Sequence, residues 1–510
     1  MVVPLYWALP WRGRVWLLLA ASYLFYGSWD VRFLALILTS TAIDFYCGLG
    51  MSEQRQPAAR VFLAASAPAV WIALTRALAP AAAVPTGVLG IAAVFPIVFA
   101  LLHIQLWQLG THRRRAFLWL SIASNLGVLF FFKYFNFFAD SAATILGNVG
   151  FPPGWTALNI VLPVAISFYT FQSINYSVAV YRREIAPTAD LPVFAMYLAF
   201  FPQLVAGPIE RATELLPQMQ KPAVWKLDYL HGGLGLLLVG FFKKVFVADN
   251  SALLANYVFD STTPLNAPWA LLGATAFAVQ IYGDFSGYTD IARGSAQLLG
   301  IQLSRNFAFP YFALTPSDFW QRWHITLSSW FRDHVYIPLG GNRGGLAVTL
   351  RNLWITMLLA GLWHGANWNF ILWGAYHAAL LTAYRLVPGG EAWLKARKDW
   401  RVPAGMTLMF ALTLIGWVLF RCHNLAQLVR WFGALGQWNL PGALPVFRPC
   451  AWLLIHTAPL LILQAATWRA RDEIRWEHWS WPARAVAFLL LFLLATTNFS
   501  PNQEFIYFQF

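Results

Sequence analysis

The chain has 510 residues, of which 59% are hydrophobic and only 11% charged, against roughly 25% charged in an ordinary soluble domain, so a water-soluble fold is set aside. The formal charge of +14 would admit nucleic acid as a partner. The basic residues, however, stand in short clusters between apolar runs, at 113–115, Arg182-Arg183 and Lys243-Lys244, as they do in positive-inside loops that touch anionic membrane lipids.

Near the start, Arg12-Gly-Arg14 precedes an apolar stretch and imitates a signal peptide. No small-residue cleavage pattern follows and further apolar segments come at once, so it reads as a retained first helix or re-entrant segment. Mainly apolar runs then recur at 31–49, 88–107, 116–138, 230–247, 350–381, 406–420 and 485–495. Together with shorter, Gly- or Pro-interrupted stretches they predict about 10 to 12 membrane helices, since roughly 20 apolar residues span a bilayer. The runs are continuous rather than alternating with period two, which argues for helices and against a β-barrel. The expected class is an all-α, multi-pass membrane protein. The 27 Trp and 18 Tyr suit membrane interfaces, where an amphipathic ring is apolar on one side and wet on the other. Cys47, Cys422 and Cys450 are too far apart for a zinc spacing or a disulfide framework.

No fixed-period repeat or Ser/Gly-rich linker divides the chain, so residues 1–510 read as one membrane domain. Residues up to about 140 and beyond about 388 are plain apolar helices with polar joints. Between about 163 and 379, polar, Gly, Pro and His residues interrupt the apolar sequence, and irregular backbone at membrane depth is tolerated only where protein or water covers it. The cavity and the chemistry are expected there.

Four patches in that section carry candidate chemistry. In Phe201-Pro-Gln-Leu-Val-Ala-Gly-Pro-Ile-Glu210-Arg211, the prolines and Gly207 break any helix, and a re-entrant loop is expected. Glu210 and Arg211 form either a surface pair or a charged lip on a substrate passage. Asp284-Phe-Ser286-Gly-Tyr-Thr-Asp290-Ile-Ala-Arg293 places Asp290 and Arg293 on one face if helical. The bland reading is charge compensation beside a helix break.

Thr315-Pro-Ser-Asp318 opens a helix, with Thr315 as cap and Asp318 as an acidic capping-box partner. Along it Trp320, Trp323, His324, Leu327, Trp330 and Phe331 form an apolar stripe opposite Gln321, Arg322 and Arg332. His324 on such a stripe is either a satisfied core residue or a site residue. The following Gly340-Gly-Asn-Arg343-Gly-Gly345 lacks the Lys-Ser/Thr of a phosphate loop and reads as a turn. Last, Ala360-Gly-Leu-Trp363-His364-Gly-Ala-Asn367-Trp-Asn369 lies in the apolar run 350–381. If helical, one face joins His364 to Met357, Gly361, Asn367 and Trp368, and Gly361 and Gly365 admit a close neighbour. An ionisable residue in a membrane segment points to function, and a neutral imidazole there can accept a proton, with Asn367 or a carbonyl fixing its tautomer.

In this order the patches resemble the membrane-bound O-acyltransferase superfamily, and within it the bacterial alginate O-acetyltransferase group, as does the closing Phe505-Ile-Tyr-Phe-Gln-Phe510. Ala308, His334 and Ala378 depart from the group's usual polar, aromatic and Gly residues. The resemblance implies a multi-pass fold around a central tunnel, with catalytic chemistry within about 160–380. It implies His364 as the catalytic histidine and His324 as a second histidine of the same tunnel. Asn367, Trp363, Asp284, Ser286, Asp318, Trp323, Arg332, Glu210 and Arg343 are the further tunnel candidates.

The same resemblance implies an O-acyltransferase of the bacterial inner membrane with acetyl-CoA as cytosolic donor, no bound cofactor or metal, and an exported alginate-like polysaccharide as acceptor. A periplasmic acetyltransferase partner is also expected. His364 would act as general base, with His324 or Asn367 donating to the oxyanion. Transfer of D-alanyl to teichoic acid, or of acetyl to peptidoglycan, is the nearest alternative. A secondary transporter would need repeated halves, which are not seen.

Overall fold

The computed structural model describes the chain except residues 1, 54, 80–83, 85, 152–153, 155–157, 159, 262–264, 388–399, 439–444, 469–478, 498–504 and 507–510. Every regular element among the described residues is helical. Eight helical stretches are long and apolar enough to cross a bilayer, and Leu191–Leu204 and Trp481–Thr497 are shorter apolar helices. Large apolar side chains on these spans face outward, Ile91 and Leu63 in the first half and Leu454 and Ile462 in the second among them. Water would penalise that surface, whereas lipid is as apolar as leucine. The protein is a multi-pass, all-α membrane protein, and helical spans are the inner-membrane solution where outer-membrane proteins use closed barrels.

Two compact units divide the chain, residues 1–230 with 295–303, and residues 231–294 with 304–510. In the first, the apolar runs become the helices Leu34–Gly50, Thr86–Trp107 and Arg113–Leu129, joined by Ile166–Tyr181. Their buried polar groups meet one another. Ser121 Oγ donates to Asp44 at 2.6 Å, Asn125 Nδ2 to the same carboxylate at 2.9 Å, and Ser121 shares a bond of 2.7 Å with Ser177. Such a network stitches helices together where no water can satisfy the groups. The patch at 201–211 is irregular between the short helix Phe201–Leu204 and Ala212–Met219. Glu210 is buried there, which overturns the surface-pair reading.

In the second unit Leu227–Phe241 widens into a π-helical turn, Phe242–Ala248, and continues as Asp249–Phe259. It packs along Ala267–Leu298, a helix of 32 residues that runs unbroken through the second patch, so the helix break expected beside Asp284 is absent. At Gly240 and Gly287 the two backbones meet so closely that a Cβ on either would touch the other's carbonyl. This approach brings Lys243 to Asp290 at 2.6 Å and Lys244 to Asp284 at 2.9 Å and Asp249 at 2.8 Å. Lys243-Lys244, read from sequence as a lipid-facing cluster, is therefore part of a buried ion network. A charge in a low-dielectric bundle persists only when paired in this way. Arg293 completes the network on Asp290 at 3.3 Å, the pairing that the i,i+3 spacing predicts.

Candidate active site

The apolar run 350–381 forms two antiparallel helices, Gly345–His364 and Trp368–Leu386. His364 is the last residue of the first; Gly365 turns extended, and the Asn367 side chain caps the second helix by accepting from the Asn369 amide at 3.0 Å. The expected continuous face through His364, Asn367 and Trp368 therefore does not form. Asn367 is exposed, and its amide donates to the His423 carbonyl at 3.4 Å. Asn369 Nδ2 ties the same turn to the Cys422 carbonyl. The close packing expected of the glycines is present, since a Cβ on Gly361 would collide with the Phe370 carbonyl and one on Gly365 with the Phe370 ring.

This hairpin sets the His364 imidazole, 6% exposed, edge-on to Trp363 at 5.0 Å, Trp373 at 5.0 Å and Phe420 at 5.2 Å. The ring borders a cavity of about 410 Å³, lined also by Trp320, Ser328, Ser329, Arg332 and Trp373. That volume falls in the range of small-molecule sites, which are mostly apolar with a few polar groups placed to orient a ligand.

The amphipathic helix expected across 316–331 is two short helices, Pro316–Trp320 and Ile325–Phe331. The N-terminal signal is correctly placed, as Thr315 Oγ1 accepts from the Asp318 amide at 3.1 Å. Asp318 accepts from Leu314 N at 3.1 Å and holds Arg322 at 2.8 Å, so both of its oxygens serve the helix start. The break falls at His324, whose φ of 42° is left-handed. A side chain there costs of order 1–2 kcal/mol, and such strain tends to be kept at functional positions.

His324 is fully buried. Asn306 Oδ1 sits 3.1 Å from its Nδ1 and also accepts from Thr326 N at 3.2 Å and Thr326 Oγ1 at 3.0 Å. A carbonyl oxygen only accepts, so the proton resides on Nδ1 and Nε2 carries a lone pair. Nε2 is buried and makes no hydrogen bond. In this tautomer Nε2 offers a lone pair and no N–H, while Asn367 is exposed with its amide on the His423 carbonyl. Burial pushes the His324 pKa down to about 3, keeping the ring neutral. Phe285 packs on it at 4.7 Å and Trp363 at 6.0 Å, so Trp363 touches both histidines.

The remaining candidates separate into wall and support. Arg332 lines the cavity, its guanidinium held by Asp333 at 2.7 Å, within the π-helical turn Arg332–Tyr336. Trp323 is core, stacked on Phe319 at 5.9 Å and against Trp417 at 4.7 Å. Ser286 is buried, and Asp284 belongs to the ion network. Arg343 is exposed on the glycine turn, which Asn352 fastens by donating to the Leu339 and Gly341 carbonyls at 3.1 and 2.9 Å. Glu210 lies in the first unit.

Sequence reasoning passed over Asn306 and His377. The first has no motif of its own. His377, buried among Trp320 at 5.0 Å and Trp373 at 4.7 Å, falls on an ordinary apolar helix face. Among the described residues no three His, Cys, Asp or Glu side chains gather as metal ligands.

Residues 82–415 match MBOAT, the membrane-bound O-acyltransferase family. The chain is 37% identical over 439 residues to the probable alginate O-acetylase AlgI of Azotobacter vinelandii, covering 86% of this chain and 76% of that protein. It is 31% identical over 451 residues to the peptidoglycan O-acetyltransferase of Helicobacter pylori, covering 82% and 73%. To the teichoic acid D-alanyltransferase of Bacillus subtilis it is 27% identical over 280 residues, covering 51% and 69%.

Proposed function

The chain belongs to the membrane-bound O-acyltransferase family, and from that premise we propose that it moves an acetyl group from cytosolic acetyl-CoA toward O-acetylation of an exported, alginate-like polysaccharide. The observation that carries the reading is the place of His364, the one of the two central histidines that lines the 410 Å³ cavity. An acyl thioester and a hydroxyl brought together there react by a balanced sequence. The His364 imidazole takes the hydroxyl proton as the oxygen attacks the thioester carbonyl carbon, giving a tetrahedral oxyanion. Collapse re-forms the carbonyl and breaks the C–S bond, and the thiolate leaves with the proton that His364 returns.

Apolar walls from Trp320 and Trp373 keep bulk water from competing with the acceptor, while Arg332 offers a cation at the wall for an anionic part of the donor. The alginate-type acceptor rests on the more similar relative, 37% identical against 31% and 27% for the peptidoglycan and teichoic acid enzymes; a periplasmic acetyltransferase that receives or relays the acetyl group is part of the same proposal. Reconstitution in vesicles with labelled acetyl-CoA, a carrier loaded with D-alanine, and alginate or peptidoglycan outside separates these readings. Acetyl consumption by wild type, absent in His364→Ala of equal folded yield, supports acetyl transfer. Turnover of the D-alanyl donor alone would overturn it.

A further inference from the structure

Buried carboxylates of the second unit are matched by cations: Asp290 by Lys243 and Arg293, Asp284 and Asp249 by Lys244, and Asp318 by Arg322. Asp44 departs from this pattern. It lies within the apolar span Val31–Gly50 of the first unit and is wholly buried. It makes no ion pair among the described residues, and the groups that donate to it, a hydroxyl and an amide, are neutral. An uncompensated carboxylate is costly in a membrane span, so its place there calls for a counter-charge.

Three helices bring oxygen atoms to this carboxylate. Leu34–Gly50 carries Asp44, Arg113–Leu129 carries Ser121 and Asn125, and Ile166–Tyr181 carries Ser173 and Ser177. Each of the last two pairs has i,i+4 spacing and so shares a helix face. Ser121 Oγ stands 2.6 Å from Asp44 Oδ1 and 2.7 Å from Ser177 Oγ, and Asn125 Nδ2 stands 2.9 and 3.1 Å from the two carboxylate oxygens. Two buried oxygens of the cluster are left over. Asn125 Oδ1 accepts no hydrogen bond, and Ser173 turns its hydroxyl toward the same carboxylate without reaching hydrogen-bond geometry. Buried polar atoms without partners call for an explanation, and a bound cation would answer both for them and for the charge of Asp44.

We propose that Asp44, Ser121, Asn125, Ser173 and Ser177 form a sodium site that clamps these three helices. Every ligand is an oxygen, the type that hard cations take. One carboxylate balances one positive charge, whereas a calcium site gathers several, and among the described residues no three His, Cys, Asp or Glu side chains gather. The close spacing of the oxygens suits sodium better than the larger potassium ion. With the ion in place the serine hydroxyls turn their lone pairs inward, and rotation of the Asn125 amide brings Oδ1 where Nδ2 stands. Hydrogen bonds that close the cluster on itself are thus exchanged for contacts to the metal. The site is independent of the acetyl-transfer reading.

The test melts the full-length protein in detergent, followed by tryptophan fluorescence, while sodium chloride replaces choline chloride at constant ionic strength. The wild-type midpoint is expected to rise saturably, by about 5 °C once sodium exceeds its half-saturating concentration a hundredfold. Potassium should need about ten times the concentration for the same effect. Asp44→Asn should melt at one temperature in sodium and in choline, and should retain no radiolabelled sodium where the wild type does. Ser177→Ala keeps the charge, removes one ligand and should raise the half-saturating sodium about tenfold.

A wild type whose midpoint is the same in sodium, potassium and choline overturns the site and leaves Asp44 protonated within a hydrogen-bonded cluster. Asp44→Asn that still responds to sodium also overturns it, by placing the ion elsewhere. Should Asp44→Asn yield no folded protein, the titrations of wild type and Ser177→Ala decide: equal half-saturating sodium overturns the assignment, and a gap of about tenfold supports it.

Discussion

His324 and His364 are forty positions apart, share Trp363 as a neighbour, and are built in opposite ways. His364 ends a helix at a turn forced by Gly365 and presents its ring to a cavity. His324 interrupts a helix in a left-handed conformation, is sealed from solvent, and has its tautomer assigned by Asn306. The contrast teaches that burial of a membrane histidine does not by itself define its work. Reach to a cavity suits a proton acceptor for substrate, whereas a sealed ring with a fixed tautomer suits a packed support whose geometry must not drift.

That contrast can be broken most forcefully at His364. Replacing it with Ala should lower kcat by about 10²–10⁴, the usual contribution of a general base, with folded protein retained; a donor-consumption assay on purified vesicles reads this. At Asn306 the expected effect is on stability. Asn306→Ala leaves the His324 Nδ1–H and the Thr326 amide without their acceptor, a loss of about 1–3 kcal/mol that lowers the thermal midpoint in detergent.

The pH dependence sharpens the same side of the comparison. Because burial lowers the folded His324 pKa to about 3 from 6.5, the unfolded chain binds a proton first as pH falls. This histidine's contribution is therefore intact above about 6.5 and lost progressively toward about 3, reaching about 2 kcal/mol near pH 5. His324→Gln should lack that part of the acid sensitivity when the two melting profiles are compared between pH 7 and 5. The smallest effect is expected at Asn367→Ala, a lost helix cap of about 1 kcal/mol with kcat within twofold of wild type, since Asn367 is exposed and bonds the His423 carbonyl.

Where the sequence could be read, it was through patterns that are local in the chain. The run at 31–49 corresponds to Val31–Gly50 and that at 406–420 to Arg401–Arg421, because continuous apolarity demands helix in lipid. Thr315 as a cap and Asp290 with Arg293 as an i,i+3 pair were legible for the same reason. The failures lie where long-range contact decides. Trp320 to Phe331 has the stripe of one helix, yet His324 breaks it, held by Asn306 from outside the segment. Lys243 and Lys244 look like loop charges until Asp290 and Asp284, some forty residues on, are brought against them by the Gly240–Gly287 contact. Asn367 sits one turn from His364 only if the helix continues, and Gly365 ends it.

The most direct test of His364 as the cavity-facing base is chemical rescue. Imidazole should restore donor consumption to His364→Ala in a concentration-dependent manner, because the cavity of about 410 Å³ admits it beside the vacated position. It should leave His324→Ala unrescued, because that ring is enclosed. Rescue of His324→Ala with none for His364→Ala would contradict the assignment and transfer the base role to the sealed histidine.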